Sequence, residues 1–194
     1  MHNAPEASTS LTTNVLLQDL GNSNIRAEVL DSIPYIESLT RIPVDDMIAT
    51  FTIASPNLRE ITINGAGEVE STEGQVLAQP ELTLNLNGAA KADLLLHVQS
   101  LTIDAKGASK LELEGTAEKA NITIAGAGEL EAEDLFAQVM HINCAGASRA
   151  EISVQNQLWA QAAGSTKILY KITYKGTPRI KQNMAVGGST IKKD

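Results

Sequence analysis

Around residues 61–70 and 122–131 the chain writes nearly the same ten letters, ITINGAGEVE and ITIAGAGELE. In both, apolar and polar positions alternate with period 2 up to a Gly and resume beyond it, which predicts a half-buried strand on each side of a corner. Aligned on that residue the chain shows Gly65, Gly88, Gly107, Gly126, Gly146, Gly164 and Gly187, at steps of 23, 19, 19, 20, 18 and 23. A period near 20 is the mark of a solenoid, whose units are too small to fold alone and must stack on their neighbours.

The columns fill in the unit. Two residues before the Gly stand Ile63, Leu86, Ala105, Ile124, Cys144, Ala162 and Ala185, and four before it Ile61, Leu84, Ile103, Ile122, Ile142 and Ala160, with Asn183 as the exception. Four residues after it come Val69, Ala92, Leu111, Leu130, Ala150, Ile168 and Ile191, a second inward ladder. Between Gly and this ladder stand Gly67, Ala90, Ser109, Gly128, Ser148, Thr166 and Ser189, small enough for a tight inward turn. Strand, corner, strand and return predict an all-β fold, a parallel β-helix with coils of about 19–20 residues. The hand favoured by parallel crossovers makes it right-handed. Residues 1–57 contain four prolines and no Gly corner, and are expected to form an N-terminal cap with irregular first coils and strands near 13–20, 24–30 and 47–54; residues 58–194 form the repetitive helix, one continuous domain.

Composition narrows the chemistry. Aromatic residues make up 3% of a chain that is 43% hydrophobic, so the core is built from aliphatic layers. A single cysteine, Cys144, at an inward position, excludes an internal disulfide and reads as a small buried hydrophobe. No run approaches the roughly 18 apolar residues of a membrane-spanning helix. The first residues, MHNAPEASTS, lack the basic and apolar segments of a signal peptide, so an export signal is expected to have been removed or never present. The net charge of −8 argues against a nucleic-acid partner. It is unevenly spread: 8 basic against 22 acidic residues up to 164, then 7 basic against 1 acidic residue beyond it.

Two outward columns carry much of this charge. Glu68, Lys91, Lys110, Glu129, Arg149 and Lys167 follow the Gly by three residues, and Glu70, Asp93, Glu112, Glu131 and Glu151 by five. Ion pairs between stacked coils are the simplest role for them; a ligand-facing stripe through Lys91, Lys110, Arg149 and Lys167 is the functional alternative. Trp159 opens a coil in a column otherwise filled by Glu60, Thr83, Thr102, Asn121 and His141, and with Tyr170 and Tyr174 it makes a candidate sugar-stacking or assembly surface. The alternative for Trp159 is burial under the longer final segment.

Catalytic signals are absent from the pattern. The acidic column supplies many carboxylates but no unique pair of the kind glycoside hydrolysis needs. His2, His97 and His141 have no metal-ligand spacing. The Ser189-Thr190-Ile191-Lys192 stretch lacks the companion motifs of Ser-x-x-Lys enzymes, and the Gly-Ala-Gly corners lack the third Gly of a dinucleotide fingerprint. No catalytic residue, metal or cofactor is expected.

The serial corners GAGE, GASK, GAGE and GASR, the lead-in TFTIASPNLREITINGAGEVES and the closing YKGTPRIKQNMAVGGSTIKKD resemble the bacterial family called putative auto-transporter adhesin, head GIN domain. The usual corner of that family is Gly-Ser-Gly-Asp; here Ala and Glu or Lys replace its Ser and Asp, which weakens any metal-binding role for corner acids. The resemblance implies a pectin-lyase-like right-handed β-helix, often trimeric, exported to the cell envelope and acting in adhesion, with a glycan or matrix protein as partner and no catalytic residues. A purely structural envelope protein and a carbohydrate-active enzyme are the competing readings, and the fold alone does not choose among them.

Overall fold

The computed structural model divides the chain into two compact units, residues 1–57 and 58–194. It describes residues 58–172 and 179–194, with side chains for 58–172 and 184–194, and four strands of the N-terminal unit. In that unit β1 (Asn14–Leu17) pairs with β4 (Phe51–Ala54), and β2 (Ile25–Leu30) with β3 (Ile33–Ser38), both antiparallel.

The second unit is a solenoid of parallel strands. Its first coils hold β5 (Glu60–Gly65), β6 (Glu68–Glu70), β7 (Leu77–Gly88) and β8 (Lys91–Gly107). β9 (Lys110–Gly126), β10 (Glu129–Gly146) and β11 (Arg149–Gly164) follow, then β12 (Lys167–Ile172), β13 (Arg179–Gly187) and β14 (Thr190–Lys193). Every pairing among them is parallel, and no helix occurs among the described residues. The seven corner glycines fall in one continuous register, Gly65 on Gly88 on Gly107 and so on to Gly187, bounding six turns.

Why Gly is needed there is visible in the backbone. All seven corners have positive φ, from 75° at Gly187 to 122° at Gly126, a region that side chains with a Cβ rarely enter. Stacking adds a second restriction: a Cβ on Gly107 would lie 2.5 Å from the carbonyl oxygen of Gly88, whereas one on Gly65, in the first coil, would meet nothing within 4 Å. The carbonyl is held in place by its partner, since the Ala108 amide donates to Gly88 O at 2.8 Å.

Each coil has three sides. The first leads into the Gly corner and buries Leu84, Leu86, Ile103, Ile122, Ile142 and their ladder mates. The second follows the corner and buries Ala92, Leu111, Leu130, Ala150 and Ile168. A further bend reaches the third side, where Leu96, Ala117, Leu135 and Val154 turn inward. There β9 carries Gly115 at φ 106°, because a Cβ would run into the carbonyl of Leu96. The third side closes back to the first through two successive outward residues, Gln99-Ser100, Glu118-Lys119 and Gln138-Val139, which shift the inward parity by one.

The corner's small inward residues form a hydroxyl ladder where chemistry allows. Thr166 donates to the Ala163 carbonyl at 3.0 Å and pairs with Ser148 at 3.1 Å; Ser189 donates to Val186 O at 2.7 Å. Ser109 Oγ is buried without a partner, because its column neighbours are Ala90 and Gly128, which have no side-chain polar atom.

These facts separate two otherwise similar substitutions. Gly65→Ala should cost about 1–3 kcal/mol for its positive φ alone. Gly107→Ala adds a collision with stacked backbone and should cost about 4 kcal/mol or more. Urea unfolding midpoints of the two variants check this, and equal losses would mean that stacking does not restrict the corner.

Candidate functional site

The outward columns of the second side lie as the alternation requires. Lys91, Lys110, Arg149 and Lys167 share one exposed column with Glu68 and Glu129, beside the column Glu70, Asp93, Glu112, Glu131 and Glu151. Lys91 lies 3.9 Å from Glu68, and Lys110 reaches across to Glu131 at 3.3 Å. Arg149 pairs with Glu151 through Nε, at 2.9 Å, and Nη2. Hydrogen bonds to these carboxylates, then their charge, push the titrations of Lys110 and Arg149 upward. Lys167 has no ion pair among the described residues.

Beyond the columns, carboxylates of Glu112, Glu114, Glu131, Glu133, Asp134 and Glu151 line a small recess of about 110 Å³. Lys110, Arg149 and Lys171, the last at 2.8 Å from Glu133, neutralise three of them. No group of three His, Cys, Asp or Glu side chains suited to a metal ion exists among the described residues.

The aromatic candidates separate. Trp159 is half-buried on the first side, in the outward column, with its ring stacked on His141 at a centroid distance of 4.1 Å and 29° between planes. Burial, followed by the charge of Lys119, lowers the His141 titration below 6.5. Tyr170, expected on the same surface, is instead turned inward and only 7% exposed. The reason is parity: it lies two residues after Ile168, on the inward face of β12, so it leaves the candidate surface. Tyr174 lies outside the described residues. The Gly corner therefore divides the candidates, with the charged columns on one side of the solenoid and Trp159 on another.

The third side holds a groove that the alignment on Gly did not reach. It has a volume of about 510 Å³, and its lining includes His97, Gln99, Thr116, Glu118, Phe136, Gln138 and Gln155. Its columns were legible at ten residues before the corner (Ala78, His97, Thr116, Phe136) and at eight (Pro80, Gln99, Glu118, Gln138), further from the Gly than the strand signal extends. His97 Nδ1 lies 2.7 Å from the Thr116 hydroxyl, and Phe136 is 37% exposed.

Cys144 is fully buried, and burial pushes its thiol up to about 12, against a weaker opposing hydrogen bond with Ser148.

Compared with known proteins, residues 12–178 match the family described as putative auto-transporter adhesin, head GIN domain. No curated protein matches the chain. The crystal structure of a putative adhesin from Bacteroides fragilis superposes with a TM-score of 0.81 at 25% identity, over 96% of this chain and 85% of that one. Two proteins of Parabacteroides distasonis share the fold: a putative adhesin (TM-score 0.61, 17% identity) and a putative lipid binding protein (0.57, 19%). Each match covers 93% of this chain and 82% of the relative.

Two titrations follow from the geometry. Because the folded Cys144 thiol titrates near 12 and the unfolded one near 9.0, its stabilising contribution is complete below pH 9 and lost as pH rises towards 12. A thiol reagent at pH 8 should therefore label the native protein only as fast as it unfolds; rapid native labelling would contradict the buried position. His141 has the opposite sign: its folded titration lies below 6.5, so its contribution is present above that pH and lost on acidification. Fluorescence of Trp159, the one tryptophan, should change with a midpoint below 6.5, and the change should vanish in His141→Gln.

Proposed function

The chain belongs to the putative auto-transporter adhesin, head GIN domain family, and from that membership we propose that it is a non-enzymatic protein of the cell envelope or extracellular space. On this reading the flanks of a rigid solenoid hold a surface glycan or a matrix protein. The family match carries the reading, with the fold shared with an adhesin in support. The absence of catalysis is supported by the second side, where basic partners take up three of the carboxylates that could otherwise act on a glycosidic bond. Lys91, Lys110, Arg149 and Lys167 form the electrostatic part of the contact surface and Trp159 the stacking part.

One observation favours a second role, assembly of copies of this chain into an oligomer, for which the family suggests a trimer. On β13, next to the coil of Trp159, Met184 and Val186 are 47% and 57% exposed, at positions where earlier coils place polar or small residues such as Gln161 and Ala163. Linked copies would raise avidity without new contacts.

Purified protein passed over an array of glycans and matrix proteins should be retained without release of sugar product. Retention should fall when Trp159→Ala is made or when Lys91, Lys110 and Lys167 are changed to Glu. Released product would overturn the non-enzymatic reading, and silence on every spot would leave a structural envelope role. Light scattering should show an oligomer that Met184→Ser with Val186→Thr dissociates; an unchanged mass would remove the assembly reading.

A further inference from the structure

We infer that the third-side groove binds a neutral glycan chain lying along the solenoid axis, an inference that rests on the reading of this chain as a binding protein and adds a site and a ligand class to it. The side chains of Gln99, Gln138 and Gln155 make no hydrogen bond with any described residue, although all three line the groove. Each amide offers donors and an acceptor together, as sugar hydroxyls do, so either partner can reverse roles without leaving a group unpaired. His97 binds Thr116 through Nδ1, which leaves Nε2 as a further polar contact.

Phe136 supplies what the amides lack. Its exposed ring, in the column of His97 and Thr116, offers an apolar face on which the C–H face of a pyranose can rest. The volume of about 510 Å³ lies within the range of small-ligand sites. Gln99 and Gln138 share one column two coils apart, about 9.6 Å, with Glu118 between them. An extended oligosaccharide lying along the axis reaches both amides, which favours a chain over a compact metabolite.

Charge sets the class. Glu118 is the one acidic side chain lining the groove, and the lining contains no Lys or Arg, so uronates and sulfated chains are disfavoured there. Any acidic glycan held by this protein would belong to the basic column of the second side. A polypeptide is a poorer occupant, since the groove presents side chains and not the free strand edge that peptide addition requires.

The probes are chitohexaose and cellohexaose as neutral chains and a heparin hexasaccharide as an acidic one, with binding followed by calorimetry on the full chain. A neutral hexasaccharide should bind, and Gln99→Ala with Gln138→Ala, or Phe136→Ala, should weaken it about tenfold or more, the loss expected from one or two neutral hydrogen bonds or a stacking contact. Lys106→Ala, exposed beside the Gly107 corner and outside the groove and the charged columns, should leave it unchanged. Urea midpoints equal to that of the parent protein will show that the groove variants are folded; should Phe136→Ala fail this, the glutamine pair decides alone. Neutral-chain binding that survives the groove variants, or is lost only in Trp159→Ala, would overturn the groove while leaving the binding reading intact. So would retention by matrix protein or heparin alone. Absence of every retention would end both.

Discussion

Everything in the solenoid hangs on the approach of one coil's corner carbonyl to the next coil's corner. The amide after each Gly donates to the corner carbonyl below it, from Ala89 to Gly65 at 3.0 Å through Ser165 to Gly146 at 2.7 Å. That bond draws the coils together until no Cβ fits between them, so the requirement for Gly arises from stacking as much as from positive φ. One corner in register aligns the residues on either side of it, while the far part of the coil shifts register, as between Glu131 and Leu135. The inward ladders meet like on like, and the layers are aliphatic except for Tyr170 among the described residues.

Register also decides what happens to polar residues. Asn87 donates to Asn64 at 2.9 Å because one column places two self-complementary side chains a coil apart, and Asn85 reaches diagonally to Glu60 at 2.8 Å. Where a column holds like charges the same proximity would be repulsive. Lys110 relieves it by leaning diagonally to Glu131, and Arg149 by bonding within its own strand to Glu151. Exposed pairs of this kind add little to stability.

The three sides consequently carry different surfaces: a charged stripe, an aromatic pair of His141 and Trp159, and an amide-lined groove with Phe136. A stiff support keeps each arrangement fixed before any ligand arrives, which reduces the ordering cost of binding. A buried thiol at Cys144 adds no reactive centre to these surfaces.

By itself the sequence determined the solenoid, its seven corners, both inward ladders beside each Gly and the charged columns, because a period of 2 nested in a period near 20 leaves one set of residues to bury. It also placed Trp159 outward. Tyr170 was legible too, since it stands two residues past Ile168 on the inward parity. Tertiary structure decided the rest. The antiparallel pairs of the first 57 residues follow no repeat and left no column to read. The groove emerged only once the third side was folded: two successive outward residues reset the alternation before each new coil, so the inward and outward parity counted back from the Gly is lost before Phe136 and the glutamines, although their columns keep the Gly spacing.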